Sequence, residues 1–540
     1  MLNSLTNIKT ILSGKLKRTL FEYKLPKLSG TNTKYNLLQT YIRAKNWVRC
    51  NNIPGKGIIV CKRFDNLYKG IAYPEVSGYY IPSLLQWGER NLAIQYAKWL
   101  CSIQNNDGSW NDYYGKHPYV FDTGQILKGL ISVYPIIPKV KDNILKGCDW
   151  IISNIQKSGK LTTPNTDCWA EETCSDLIHL YCLSPLRQAA KIFKNQEYSD
   201  AIEKVLNYYK QNFYEKLIDF HTLSHFYAYI IEGLIDIGEI EIANIAADNV
   251  IKLQKPNGAI PAYKDVDWVC STGIFQFAII FYKLGKKEEA DKAFDCACNL
   301  QLKSGGWVGS YGIGAKYSNF EEISWCNKYF LDAFSLKLQA HFANTLELEE
   351  KVSFGTYKLE SNIDAKDGRT QTMLEVIRDT NPQNLLDIGC GKGRILKHVK
   401  DKYPQIEIHG LDLDKKIIKA LPHNIHGKVG SILNTGYKDE EFDLVCAIEI
   451  LEHAVDIENA IQEMLRITKK GGTILIIDKN KQYLGKFAMP PWEQWFDKNQ
   501  IKNVLEQHNA AVTIKENIPY DQCDGSDGLF IAWIGTKNTN

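Results

Sequence analysis

Four short stretches of this 540-residue chain repeat one pattern, and that pattern limits what the N-terminal part can fold into. They read IQNNDGSW from Ile103, IQKSGKL from Ile155, LQKPNGAI from Leu253 and LQLKSGGW from Leu300. Their glutamines, Gln104, Gln156, Gln254 and Gln301, are separated by 52, 98 and 47 residues. The middle interval spans two units, so the period is about 49 residues, the size of a supersecondary repeat. A degenerate copy is expected near Gln211, in YKQNFYEKLIDF.

An amphipathic helix runs into each turn: RNLAIQYAKWLCSIQ, DNILKGCDWIISNIQ, EIANIAADNVIKLQ and EEADKAFDCACNLQ. Apolar residues recur in them at spacings of three and four. A second, more apolar helix follows each turn, as in VFDTGQILKGLISVY, EETCSDLIHLYCLS, SHFYAYIIEGLIDIG, VCSTGIFQFAIIFYKLG and SWCNKYFLDAFSLKL. One amphipathic and one apolar helix per unit suit two concentric layers. Roughly six such hairpins over residues 35–342 would close an (α/α)6 toroid. The Gln-x-x-(polar)-Gly turn is then punctuation: Gly108 ends a helix in the left-handed conformation, and Gln104 and Trp110 tie neighbouring repeats. Residues 1–34 read as an N-terminal extension.

The QNNDGSW form resembles the turn motif of the terpene-cyclase and prenyltransferase-repeat proteins. The same toroid serves glycan-active enzymes, so the resemblance implies a fold and a central cavity rather than one reaction. VFDTGQ supplies the single acid Asp122 where triterpene cyclases carry several, which argues against cyclisation. The mouth of the cavity should lie where the inner helices begin. Glu75, Tyr79, Asp122 and His225 are the leading candidates there. Tyr80, Trp110, Gln125, Trp169, Glu171, Glu172, Trp268 and Trp325 form a wider set. Aromatic rings beside carboxylates suit sugars, although rings also supply core area and acids also cap helices. A carboxylate and a tyrosine at such a place could serve as proton donor and acceptor.

From about residue 384 apolar runs alternate with helices: NLLDIG, IEIHGLDL, HGKVG, FDLVCAIEI and GTILIID. This is the pattern of a doubly wound parallel sheet. AAVTIKENI and LFIAWIGTK have no helix between them and read as a terminal antiparallel hairpin. The first run ends in LLDIGCGKGRI, a glycine turn at a helix start, where a ligand can press against bare backbone. A dinucleotide fingerprint would need glycine at Arg394, and a phosphate loop would need Ser or Thr at Gly393.

The Asp-x-Gly-x-Gly-x-Gly order resembles the first motif of the class I S-adenosylmethionine-dependent methyltransferases. The resemblance covers about 155 residues, within a domain placed at 373–540 after a linker at 343–372. It implies S-adenosylmethionine as cofactor. The cofactor-binding residues would be Asp387, Gly389, Cys390, Gly391, Gly393, Asp412, Leu413, Ser431 and Ile448. Asp412 ends the second strand, where an acid receives the ribose hydroxyls. Gly430 and Ser431 stand where that family commonly has an acid facing the adenine amine. Arg369 and Thr370 are expected to help close the pocket.

EILEHAVD follows the fourth strand, where open α/β sheets bind their ligands. It offers Glu449, Glu452 and His453, and Asp478 ends the next strand. His453 is the expected general base for an O-methylation. Similar Glu-x-x-Glu-His stretches occur in ubiquinone-type and small-RNA methyltransferases, and in some of those the acids and histidine hold a divalent cation. That resemblance makes Glu449, Glu452 and His453 the candidate metal set. Tyr483, Trp492 and Trp495 lie in a segment that Pro490 and Pro491 keep out of a helix, and it reads as a lid over the acceptor.

The formal net charge is +3, with both signs interspersed, which gives no footprint for nucleic acid. Fourteen cysteines lack a CxxC pair and suit a reducing compartment. The segment MLNSLTNIKTILSGKLKRTL lacks a signal-peptide core, and no run reaches the ~18 apolar residues of a membrane span. A cytoplasmic enzyme acting on a small molecule or oligosaccharide is expected. A sugar hydroxyl in surface-glycan synthesis is the leading acceptor. An isoprenoid or quinone acceptor, or a toroid that only binds, are the alternatives.

Overall fold

The computed structural model describes residues 35–63, 70–164, 176–342, 363, 365–454, 456–489, 493–520 and 528–539. Trp169, Glu171, Glu172, Pro490, Pro491, Trp492, the N-terminal extension and most of the expected linker lie outside the described residues. The chain forms two compact units that divide between His341 and Phe342.

The first unit is helical. In chain order its helices are α1 (Leu37–Cys50), α2 (Pro74–Gln86), α3 (Arg90–Ser102), α4 (Val120–Val133), α5 (Lys141–Ser153), α6 (Leu183–Phe193), α7 (Gln196–Ile218), α8 (Ser224–Asp236), α9 (Ile240–Ile251), α10 (Ser271–Lys283), α11 (Lys287–Cys298) and α12 (Ser324–Phe342). The odd-numbered helices bury one stripe each, whereas α2, α4, α8 and α10 are buried nearly all round. Such all-round burial follows from their continuous apolar sequence. Two short ribbons, β1 (Cys61–Arg63) with β4 (Glu321–Ile323) and β2 (Val269–Cys270) with β3 (Ser310–Tyr311), join the loops.

The buried elements touch in succession, and small residues set their spacing. A Cβ on Gly78 would lie 2.5 Å from the Ile126 Cα, so α2 and α4 meet backbone to backbone. A Cβ on Gly124 would lie 2.7 Å from the Cys182 Sγ, and one on Gly233 would lie 2.8 Å from the Leu180 carbonyl carbon. Gly273 of α10 stands against Ser224 and His225 of α8, and Phe275 meets Phe330 of α12 edge-on at 5.6 Å. The succession returns on itself: the Tyr80 hydroxyl of α2 donates to the Ser324 carbonyl of α12 at 2.6 Å.

The Gln-x-x-x-Gly turns at Gln104, Gln254 and Gln301 link the amphipathic helices by one repeated arrangement. The Gln104 side-chain amide donates to its own Gly108 carbonyl at 2.9 Å and to the Asn143 carbonyl of α5 at 2.9 Å. Gln254 does the same to Gly258 (3.4 Å) and to Glu289 of α11 (3.0 Å). Gln301 donates to Gly305 (3.1 Å) and to Thr40 of α1 (2.9 Å), joining the last amphipathic helix to the first. Gly108, Gly258 and Gly305 have positive φ, and a Cβ on them would overlap the Lys146 carbonyl of α5, the Lys292 carbonyl of α11 and the Arg43 carbonyl of α1. Two expectations are corrected. Gln211 is not in a turn, because α7 continues through it to Ile218, with only Phe213 departing from helical angles. The stretch expected as one helix around Leu180 is a 3-10 segment, Asp176–Cys182, that leads into α6.

The second unit contains α13 (Gly368–Thr380), β5 (Asn384–Ile388), α14 (Arg394–Lys402), β6 (Glu407–Asp412), α15 (Lys415–Lys419), β7 (His426–Val429), β8 (Phe442–Ile448), α16 (Ile457–Ile467), β9 (Thr468–Lys479), α17 (Lys498–Gln507), β10 (Ala510–Ile518) and β11 (Phe530–Lys537). Helix α13 begins inside the expected linker. The strands form a seven-stranded sheet in the order β10-β11-β9-β8-β5-β6-β7. Strands β9, β8, β5, β6 and β7 run parallel, and β11 is antiparallel to both β9 and β10. Central strands covered on both faces need runs of apolar residues, as in LVCAI of β8 and ILII of β9. The core gathers Leu386, Ile388, Val445, Ile461, Ile474, Phe496 and Trp533.

Candidate active site

The order of the sheet reverses beside β5, and the loop after β5 therefore opens a crevice at the strand ends. Gly389, Gly391 and Gly393 all have positive φ, at +69°, +50° and +69°. The turn is pinned to the neighbouring strand: the Gly389 and Cys390 amides donate to the Leu411 carbonyl at 2.7 and 3.1 Å. The Gly391 amide donates to the Asp412 carboxylate at 3.1 Å, and the Asp414 amide caps its other oxygen at 2.9 Å. A Cβ placed on Gly391 meets no atom within 4 Å, so this backbone faces open space.

Asp387 is buried beneath the turn, and its Oδ1 has no hydrogen-bond partner. Burial, with the Asp412 charge nearby, pushes its carboxyl up to about 8. An orphaned buried carboxyl under an open, amide-lined turn fits a ligand with an ammonium group, and Asp412 beside it fits a sugar diol. Both groups belong to S-adenosylmethionine. Ile448 is buried at the end of β8, Cys390 is buried with its thiol pushed up by burial, and Leu413 is exposed on the rim. The Ser431 hydroxyl accepts the Leu433 amide at 3.1 Å and closes its own turn.

The loop after β8 carries the acids. Glu449 has φ +54°, unusual for a non-glycine residue, and its amide is held by the Ile477 carbonyl at 2.9 Å. Its carboxylate pairs with Arg369, whose guanidinium also binds Asp367 at 2.8 Å and lies over the Tyr520 and Phe530 rings. Thr370 is buried beside Arg369 on α13. Glu452 is buried and receives the Lys479 ammonium at 2.6 and 2.7 Å. The Asp478 carboxylate accepts the Glu452 amide at 3.1 Å, and burial, with Glu452 nearby, pushes it well above the ordinary range. The His453 Nε2 lies 3.3 Å from Glu452, with 39% of the side chain exposed. Burial, aided by the Lys479 charge, lowers the imidazole below its ordinary range against the pull of Glu493 and Glu449.

Glu449, Glu452 and His453 are not brought together as a metal set. Glu449 turns to Arg369, and Glu452 faces Lys479. Among the described residues no three such side chains are arranged to hold a metal ion. Of the expected lid, Trp495 is buried and Tyr483 sits on a 3-10 turn. Gln494 is held in place: its amide donates to the Glu452 carbonyl at 3.0 Å and its side chain donates to the Ala454 carbonyl at 2.7 Å. Lys479 and Glu493 were missed in the sequence. The available signal was an acid and a lysine, Asp478 and Lys479, closing the apolar run Ile474–Ile477 of β9.

In the helical unit, Glu75 and Asp122 occupy the first turns of α2 and α4, which the Gly78–Ile126 contact holds side by side. Both are buried, and neither oxygen of Asp122 has a hydrogen-bond partner. Burial, with the Asp112 charge nearby, pushes Asp122 up to about 8, and burial together with Asp122 raises Glu75 well above its ordinary range. Tyr79 lies 6.0 Å from the Tyr329 ring, Tyr329 lies 6.3 Å from Tyr229, and Tyr229 lies 4.7 Å from His225. The His225 Nδ1 meets the Gln276 Oε1 at 2.6 Å. Trp325 stacks on His225 at 6.5 Å, and Gln125 keeps an unpartnered Oε1. Trp110, Tyr80 and Trp268 are instead core: Trp110 donates to the Leu100 carbonyl at 2.7 Å, Tyr80 bonds Ser324, and Trp268 packs with Leu223 and Ala262.

Residues 386–476 match a family model described as a methyltransferase domain. Norajmaline N-methyltransferase of Rauvolfia serpentina is 39% identical over 162 residues, covering 28% of this chain and 51% of that protein. The mitochondrial ubiquinone biosynthesis O-methyltransferase of Dictyostelium discoideum is 26% identical over 189 residues, covering 29% and 57%. The chain thus spans about half the length of the curated relatives it matches. A solved S-adenosylmethionine-dependent methyltransferase from Archaeoglobus fulgidus, 16% identical, covers 31% of this chain and 94% of its own, with a TM-score of 0.26. The C-terminal unit of the chain is an S-adenosylmethionine-dependent methyltransferase domain.

Proposed function

We propose that the chain methylates a hydroxyl of a small polar acceptor, a sugar hydroxyl in surface-glycan synthesis first among them, at the ends of β8 and β9. The observation that carries this reading is His453, half-exposed beside the buried Glu452 and lowered toward its neutral form. The bound cofactor supplies an activated methyl on its sulfonium. The chain aligns the acceptor with that methyl and receives its proton. A Glu452 carboxylate facing Nε2 favours the tautomer with its proton there, leaving Nδ1 as the basic atom. Asp412 would take the ribose hydroxyls and Asp387 the ammonium, while Gly389, Cys390, Gly391 and Gly393 supply the turn. Leu413, Ser431 and Ile448 would wall the adenine, and Asp478 holds the Glu452 backbone.

The helical unit is read as an (α/α)6 toroid that holds the same acceptor. Support comes from the Gln301–Thr40 and Tyr80–Ser324 closures. Glu75, Tyr79, Asp122 and His225 place acids and an imidazole among rings, which suits a polyhydroxylated ligand better than an aliphatic isoprenoid. The experiment incubates the protein with S-adenosylmethionine labelled in its methyl group and with fractionated glycans, lipids, amines and RNA. Label in the glycan fraction is expected. Label confined to lipids, amines or RNA would end the sugar reading, and the N-methyltransferase relatives make the amine arm its strictest competitor.

A further inference from the structure

Lys479 is the last residue of β9, and its ammonium lies among the side chains that the sequence offered to a metal. Nζ stands 2.6 and 2.7 Å from the two Glu452 oxygens, 3.4 Å from Glu493 and 3.7 Å from Glu449. His453 reaches the same Glu452 carboxylate at 3.3 Å. Lys479 and Glu493 each keep 12% of their side-chain surface, and Glu452 keeps 2%, so water screens these charges little. The short contacts have the length of charge-assisted hydrogen bonds, not of the ~2.0–2.2 Å bonds that carboxylates make to small divalent cations.

We propose that the Lys479 ammonium is the built-in cation of the acceptor site. It takes the place that a divalent ion would hold among Glu449, Glu452, His453 and Glu493, and it keeps Glu452 aimed at His453 without metal. Three features of the site converge on this. The ammonium has three donors, and Glu452 takes two of its closest contacts as a fork. Burial opposes its charge, and three carboxylates offset that cost at close range: Glu452 at 2.6 Å, Glu493 at 3.4 Å and Glu449 at 3.7 Å. Glu449, the remaining member of the sequence-derived metal set, is drawn toward Arg369 by a second fixed cation. A divalent ion entering here would meet the lysine charge at contact distance, in a site that screens little.

Lys479 acts as a positioning residue: it keeps its proton and transfers nothing. The proposal rests on the acceptor lying at His453, but its test does not require the acceptor. Free Mn2+ is followed by electron paramagnetic resonance on the full chain. The wild type is expected to leave the Mn2+ signal unchanged. Lys479→Ala, and in a second variant Lys479→Gln, is expected to bind one equivalent at least tenfold more tightly. The heat of binding S-adenosylhomocysteine reports that each variant has folded. One Mn2+ bound by the wild type and lost in Glu452→Gln would overturn the proposal. So would a folded Lys479→Ala or Lys479→Gln protein that binds Mn2+ no better than the wild type. Label transfer reports the acceptor reading and Mn2+ occupancy reports this one, so the two fail separately.

Discussion

The Gly391 amide donates to the Asp412 carboxylate at 3.1 Å, so the side chain that anchors the glycine turn is also the one proposed to take the ribose hydroxyls. Charged hydrogen bonds of this kind are worth about 1.5–3 kcal/mol. Asp412→Ala should therefore weaken S-adenosylhomocysteine binding by roughly 10- to 150-fold. Calorimetry measures this directly, and an unchanged dissociation constant would remove Asp412 from the pocket.

Asp387 gives the cofactor site a pH signature. Its carboxyl is pushed up to about 8 by burial and by the Asp412 charge. The folded protein then keeps a proton near neutrality that the unfolded chain has released, so this group's contribution to stability declines as pH rises from about 4 to about 8. An arriving ammonium stabilises the carboxylate and expels that proton. Cofactor affinity should rise between pH 6 and 8, with proton uptake by the buffer. Calorimetry at pH 7 in two buffers of different ionisation heat checks this, and Asp387→Asn should abolish the buffer dependence.

Much of this was legible because the signals are local. Glycines at 389, 391 and 393 and the acids at 387 and 412 lie at strand ends, where chain geometry fixes their place. The Gln-x-x-x-Gly turn is equally local, since its glutamine closes on a carbonyl four residues later. Gln211 misled because a helix can absorb a polar position without a glycine to end it. The metal set misled because nothing in EILEHAVD reveals that Lys479 and Arg369 reach the same carboxylates from another strand and another helix. Trp268 and Trp110 were read toward the cavity, but burial against apolar neighbours is the commoner fate of a tryptophan.

The repeat turn makes its own prediction. Gly258 has φ +85°, and a Cβ there would overlap the Lys292 carbonyl of α11. Left-handed strain alone costs about 1–3 kcal/mol, so Gly258→Ala should unfold at distinctly lower urea. Gln301→Ala removes two hydrogen bonds worth about 0.5–1.5 kcal/mol each. If the helices close on themselves, Gln301→Ala, at the junction to α1, should destabilise as much as Gln254→Ala, which loses the same two bonds in mid-sequence. A junction variant without effect would argue against closure.

Asp122 tests the helical unit without any ligand. Burial, with Asp112 nearby, pushes its carboxyl to about 8, and neither oxygen is hydrogen-bonded. The unfolded carboxyl ionises near the ordinary ~3.9, so its cost to folding grows from about pH 4 to about pH 8 and can reach about 5 kcal/mol. Asp122→Asn should be close to neutral at pH 4 and stabilising at pH 8 in denaturant unfolding. Equal effects at both pH values would show that the carboxyl is ionised in the fold.

His453 and Lys479 can be read together in one pH profile. Burial and the Lys479 charge hold His453 below its ordinary range, so it stays neutral, and able to take a proton, into mildly acidic solution. Methyl transfer should lose rate on the acid side only below about pH 6.5, the ordinary histidine value. Removing the imidazole in His453→Ala should cost about 10²- to 10⁴-fold in kcat, the usual worth of a general base. Lys479→Gln deletes a cation while leaving Glu452, Glu449 and Glu493 in place, so the imidazole becomes easier to protonate and the acid limb should move to higher pH. An acid limb that stays fixed in Lys479→Gln would mean that His453 does not set it, and the proton acceptor would have to be sought among the carboxylates of the same loop.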